Sequence, residues 1–233
     1  MHIFVKRIYI ESYAIKDISR LIKLCHDNNK ELYVALPYIC RKNSYESMAY
    51  ECDGFLVRNL EELGYIRENT IDRPLIFDYN MYSYNNEAAS YYNAYGQSTC
   101  GLEVSYKEQK EFDNSNMELI IYGYIPMMIS ASCINKNING CDKLSKKLKF
   151  KDRFGNEFLV KNICRDCYNI IYNYRPLALY DREEDIRDLG IKSVRIVINS
   201  WDEDRIDEIL GEVNSHVLNL REYTRGHFYK NIL

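Results

Sequence analysis

The chain has 233 residues, of which 46% are hydrophobic, and a net charge of −3 at neutral pH. That length and apolar content suffice for one large domain with its own core, which excludes a disordered chain. The slight acidity excludes a global positive field toward nucleic acid or an anionic membrane, so any such contact must be local.

Met1–Arg20 carries charges at Lys6, Arg7, Glu11 and Lys16 and never forms the unbroken apolar run of a signal peptide. From Arg7 onward, short β-rich runs recur, each followed by a polar or amphipathic stretch. The runs are Arg7–Ser12, Glu31–Pro37, Gly54–Asn59, Leu75–Asn80, Thr99–Ser105, Leu119–Tyr124 and Val194–Ser200. Such alternation predicts βα units around a parallel sheet. Helical spacing supports it in Tyr13–Asn28, through Ile15, Ile18, Leu21, Ile22 and Cys25, and in Asp202–Ser215, through Ile206, Ile209, Leu210 and Val213. Asn59-Leu-Glu-Glu and Ser200-Trp-Asp-Glu read as helix N-caps with acidic first turns.

Seven strands fall one short of a closed eight-stranded barrel. The expected fold is therefore α/β: a TIM-barrel-like or partial (β/α) barrel, a single domain over 1–233, with a partner chain able to complete it. The longest apolar run, Leu119–Ser130, contains Gly123 and Pro126 and is too short to cross a bilayer. A cytoplasmic protein without membrane contact is expected.

Between Ser130 and Arg175 the rhythm breaks. Lys147–Phe150 and Glu157–Lys161 flank Asp152-Arg-Phe-Gly-Asn156, which predicts a β-hairpin within an insertion over 131–175. Four cysteines bracket it in the pattern Cys133-x7-Cys141-x22-Cys164-x2-Cys167. Cys-x2-Cys lets two thiolates converge in a tight turn, and a hairpin can return the chain to supply another pair. Four thiolates suit tetrahedral zinc and a 4Fe-4S cluster equally. Arg165, Lys161 and Lys136 stand close enough in sequence to favour thiolates. Cys25, Cys40, Cys52 and Cys100 are scattered through strands and helices and read as small buried hydrophobes.

Tyr122-Gly-Tyr-Ile-Pro-Met-Met-Ile-Ser-Ala-Ser-Cys133, Lys161-Asn-Ile-Cys164-Arg-Asp-Cys167-Tyr-Asn-Ile-Ile-Tyr172-Asn173 and Tyr223-Thr-Arg-Gly-His-Phe228 resemble the collagenase-like peptidases, the thirty-second family of unknown catalytic type. Gly54-Phe-Leu-Val-Arg-Asn-Leu-Glu-Glu-Leu63 also resembles the barrel of that family, and the likeness runs over nearly the whole chain. It is nearest to the C-terminal half of the long members. Where the family has a cysteine shortly after the glycine of the Tyr-Gly strand, this chain has Met127 and Met128.

The resemblance implies a 4Fe-4S cluster on Cys133, Cys141, Cys164 and Cys167, in preference to zinc. It also implies oxygen-independent hydroxylation of an RNA base or a small aromatic substrate. The family name supplies a second expectation, a collagenase-like peptidase, and a non-catalytic partner or fragment with a structural metal site is the third.

Catalytic groups gather at the C-terminal ends of barrel strands, which points to Arg58, Asn59, Asp78, Asn80, Glu103 and Asn199. Capping accounts for Asn59 and Asn199, whereas Arg58 and Glu103 emerge from apolar runs. Among the histidines, His2, His26 and His216 have surface-like neighbours, and His227 stands out within Thr224-Arg-Gly-His. Arg58, Glu103 and His227 are the catalytic candidates. Lys143, Lys146, Lys147, Lys149 and Lys151, with Arg153, form the strongest basic run and are the expected RNA contacts. No nucleophile elbow, His-Glu-x-x-His, Gly-x-Gly-x-x-Gly or P-loop occurs.

Overall fold

The computed structural model describes residues 5–199 and 202–230; His2, Ser200 and Trp201 lie outside them. The chain opens with β1 (Arg7–Glu11), α1 (Ile18–Asp27), β2 (Glu31–Ala35), β3 (Gly54–Val57) and α2 (Leu60–Glu68). It continues through β4 (Leu75–Phe77), α3 (Asn86–Asn93), β5 (Gly96–Thr99), α4 (Tyr106–Gln109) and β6 (Met117–Gly123). These strands are short; β3 and β4 are apolar on both faces, as a covered parallel sheet favours, and every residue of β3, β4 and β6 is buried. Each helix start has a side-chain acceptor. Asp17 receives the Arg20 amide, Asn59 the Glu62 amide and Asn85 the Ala88 amide.

Next comes the insertion, with β7 (Pro126–Ser130), α5 (Ile134–Asn139), β8 (Lys147–Lys151), β9 (Glu157–Ile163) and β10 (Tyr168–Tyr172). The chain then returns through β11 (Leu177–Ala178), α6 (Glu183–Asp188), β12 (Ser193–Val197) and α7 (Ile206–Ser215). Strands β1 to β6 pair in sequence order, and β12 joins β6, all parallel. The two-residue β11 pairs antiparallel with the end of β6.

Interior side chains show how far this sheet curls. The Tyr9 phenol on β1 donates to Glu118 on β6 at 2.9 Å, and the Arg195 guanidinium on β12 lies 4.8 Å from the Tyr9 ring. The sheet is thus a curled half-barrel, with no ladder between β1 and β12 among the described residues. Its outer face is apolar, and Val34, Phe55, Val57 and Phe77 pack there against Leu63 and Ile66 of α2.

The second sheet is antiparallel, in the order β7-β10-β9-β8. The expected hairpin forms, with Lys151 opposite Glu157. Leu159, Ile163, Tyr168, Ile170 and Tyr172 pack against Tyr13, which follows β1, and Tyr38, which follows β2. This sheet therefore lies across the C-terminal ends of the parallel strands.

One expectation needs correction. The strand expected at Thr99–Ser105 lies at Gly96–Thr99, because Ser105 is taken by a capping box: its hydroxyl receives the Glu108 amide, and the Glu108 carboxylate accepts from its amide. The cysteines flank the β8–β9 hairpin, Cys133 and Cys141 on either side of α5 and Cys164 and Cys167 in the β9–β10 turn.

Gly123 closes β6 with φ +144°, and a Cβ there would stand 2.6 Å from the Val197 carbonyl oxygen. Gly123→Ala is therefore expected to cost about 1–3 kcal/mol, lowering the thermal midpoint by on the order of 5 °C in a scan against wild type.

Candidate functional site

The four insertion cysteines are all free thiols, with Cys141 and Cys167 exposed and Cys133 and Cys164 half-buried. Cys133 caps α5, its sulfur receiving the Lys136 amide at 3.5 Å. Cys164 opens the turn after β9, where its thiol donates to the Leu144 carbonyl at 3.1 Å and Asn162 Nδ2 donates to its sulfur at 3.4 Å. Cys167 takes a left-handed φ of +53°, which tightens the turn so that its thiol reaches the Cys164 carbonyl at 3.7 Å.

Burial pushes the Cys164 thiol pKa up, and Cys133, Cys141, Asp142 and Cys167 add to the rise as negative neighbours. All three other cysteines thus lie within electrostatic reach of Cys164. Four thiolates so placed repel one another unless a cation offsets them, which is the chemistry a metal centre supplies. Among the described residues, no three His, Cys, Asp or Glu side chains close into a metal-ligating group. The donor types, four cysteine sulfurs, are those a thiolate-bound metal uses.

Two of the charges expected to favour these thiolates, Arg165 and Lys161, make their contacts elsewhere. Arg165 donates to the Ser12 carbonyl at 2.8 Å and to Ser47 Oγ at 2.9 Å, which ties the cysteine turn to the half-barrel. The Lys161 ammonium stands 4.9 Å from the Tyr13 ring centre.

Arg58 lies where the strand-end argument puts it. It lines a cavity of about 200 Å³ at the C-terminal ends of the strands, together with Asp78, Arg195 and Asn199. Glu11 receives its guanidinium through both oxygens, at 2.7 and 2.8 Å, and Asp78 receives Nε at 2.9 Å. Arg195 donates to the other Asp78 oxygen at 2.8 Å, to Thr99 Oγ1 at 2.6 Å and to Glu118. Burial raises the Asp78 pKa, but Arg195 and Arg58 outweigh it and hold the carboxyl below its usual range. The insertion completes the wall with Lys161 from β9 and Tyr172 from β10. Asn59 caps α2, and Asn80 Nδ2 donates to the Arg58 carbonyl at 2.7 Å.

Glu103 and His227 line a different cavity, of about 330 Å³, between the ends of β5 and β6 and the segment Thr224–Phe228. The Glu103 carboxylate is engaged by the Tyr84 phenol. Arg225 is held by both Asp181 oxygens. The only cysteine in that wall is Cys100, whose thiol burial pushes up to about 12.

In the lysine run, Lys146 pairs with Asp142, Lys147 with Glu203 at 3.6 Å and Lys149 with Glu157 at 2.8 Å. Tyr9, Glu118 and Arg195 escaped sequence reasoning because they sit mid-strand and meet only when the sheet curls. An arginine in the apolar run Val194–Val197 was the one signal available.

These features define an α/β half-barrel protein whose thiol-bearing antiparallel cap helps wall a polar cavity at the strand ends. The Peptidase family U32 profile matches residues 2–222, and the chain belongs to that family. No curated protein matches the chain. Among solved structures, the C-terminal domain of a protein assigned as a chitinase from Desulfitobacterium hafniense DCB-2 is similar at 14% identity, over 92% of this chain and 78% of that one. Its TM-score of 0.28 is too low to carry any argument. No helix among the described residues is long and apolar enough to cross a membrane.

Proposed function

We propose that this U32-family protein modifies a small aromatic substrate, or an RNA base presented as one, at the strand-end cavity. Hydroxylation is the favoured reaction, with a 4Fe-4S cluster held by Cys133, Cys141, Cys164 and Cys167. One observation carries the reading: the same four-stranded sheet bears the cysteine turn and supplies Lys161 and Tyr172 to the cavity wall. A bound cluster would supply one-electron redox chemistry. The chain's own residues bind and orient. Tyr13, Tyr38, Tyr79 and Tyr172 offer ring surfaces, and the Arg58–Asp78–Arg195 network fixes a rigid floor.

The peptidase reading draws on the family name and on Glu103 and His227 sharing one cavity. Among the described residues of that cavity neither candidate is activated: a thiol raised as far as that of Cys100 is not a thiolate at neutral pH, and the Thr224 hydroxyl accepts from the Gly226 amide at 3.0 Å. A water activated by Glu103 is what that reading would require.

Anaerobic purification tests the proposal. Iron and sulfide with broad absorption near about 400 nm are expected. Colourless zinc protein overturns the cluster, and metal-free protein overturns the centre. The same preparation decides the substrate class by RNA binding across salt concentrations. For an RNA substrate, charge reversal at Lys146, Lys147 and Lys149 lowers the log–log salt slope by about one per lost phosphate contact. Metal-loaded protein that binds no RNA at low salt leaves the small aromatic substrate.

A further inference from the structure

We infer that Lys161 is the anion-binding group of the strand-end cavity, and that the small aromatic substrate carries a carboxylate on its ring. The inference rests on reading that cavity as the substrate site, and it narrows the substrate class.

Every carboxylate lining the cavity already has a cation. Glu11 gives both oxygens to Arg58, and Asp78 is shared by Arg58 and Arg195. Glu203 faces Lys147, the cross-strand neighbour of Lys161, at 3.6 Å. Arg58 and Arg195 in turn serve three acids, Glu11, Asp78 and Glu118, and have no charge to spare for a ligand. Lys161 is different. Among the described residues no carboxylate lies within ion-pair distance of its ammonium, whose neighbour is the face of the Tyr13 ring at 4.9 Å.

The ammonium of this half-buried lysine has three donors to offer an acceptor in the cavity. Burial lowers its pKa from the ordinary lysine value and Lys147 lowers it further, while Glu11 and Glu203 pull it up from beyond ion-pair distance, so among the described residues no direct counter-charge touches the ammonium. A ligand oxyanion supplies that counter-charge and the acceptors together.

The remaining wall selects for shape. Four tyrosines stand with Ile125 and Pro126 around about 200 Å³, below the roughly 300 Å³ at which pockets for drug-sized molecules begin. That space suits a single substituted ring, flat against the tyrosine faces.

The test is calorimetric titration of metal-loaded protein with benzoate and with its neutral isostere benzamide. Wild type is expected to bind benzoate about ten- to a hundredfold more tightly than benzamide, the range for a hydrogen-bonded charge. Lys161→Met should keep the benzamide affinity and lose the preference for benzoate, and Lys161→Arg should retain most of it. Equal affinities in wild type, or a preference that survives in Lys161→Met, overturns the inference, as does failure of either compound to bind. The unchanged benzamide affinity and a circular dichroism spectrum guard against misfolding of the methionine variant. Metal content, measured on the same samples, reports separately on the centre: a benzoate preference in protein that never holds metal would sink the cluster and leave Lys161 in its role.

Discussion

Serine at Cys164 is expected to abolish metal binding and loosen the insertion while the half-barrel stays folded. Burial first, and then Cys133, Cys141, Asp142 and Cys167, push the Cys164 thiol up, so its removal takes out a donor within electrostatic reach of the other three cysteines. As a plain side chain it does little that serine cannot copy, since its thiol donates to the Leu144 carbonyl and a hydroxyl can do the same. A large effect therefore reports the metal. Binding energy at a thiolate site is folding energy, on the order of 10 kcal/mol in small zinc domains. Metal analysis should fall to background in Cys164→Ser and Cys167→Ser, and limited proteolysis should cut between residues 131 and 175. Serine at Cys25, Cys52 or Cys100, each buried and remote in sequence from the insertion, should leave metal content unchanged, as should serine at Cys40. Full metal stoichiometry in both insertion variants would mean that the donors are other residues.

Local signals in the sequence carried much of the architecture. The parallel strands are legible because each is an apolar run bounded by polar residues, and six of the seven lie where that pattern puts them. Asn59 is legible as an N-cap because an asparagine before Leu-Glu-Glu has one local use. Thr99–Ser105 fails for an instructive reason. The apolar and β-branched residues after Gly101 look like a strand, yet Ser105 and Glu108 form a capping box, and local hydrogen bonding wins over periodicity. The cysteine set is visible as spacing, but what covers the barrel mouth is not. Lys161 reads as a neighbour of Cys164, and only strand alternation across β9 sends it to Tyr13. Arg58 is legible as a charge at a strand end, whereas its partners come from β1 and β4 and depend on the curl of the sheet.

Methionine at Arg195 is expected to destabilise the protein by about 3–5 kcal/mol at neutral pH, the cost of breaking a buried ion pair by removing one partner. Arg195 is only 7% exposed, and its guanidinium serves Asp78, Glu118 and Thr99 at once. Without it Glu118 keeps the Tyr9 phenol and Asp78 keeps Arg58, so two buried carboxylates remain with one guanidinium, itself shared with Glu11. The pH dependence has a definite sign. Burial raises the Asp78 pKa, but Arg195 first and Arg58 second bring it below its ordinary value. A carboxylate depressed in the folded state contributes stability that is present above its unfolded pKa of about 3.9 and lost as pH falls through the folded value. In Arg195→Met the main depressing charge is gone, so Asp78 contributes less at pH 7 and has less to lose in acid. Urea denaturation of both proteins at pH 7 and pH 3 should therefore show a gap that narrows toward pH 3. Arg195→Met combined with Asp78→Asn should recover part of the loss at pH 7, because it removes one of the stranded charges. A gap that stays constant or widens between pH 7 and pH 3, with no recovery in the double variant, would mean that Arg195 stabilises the half-barrel by packing rather than by charge.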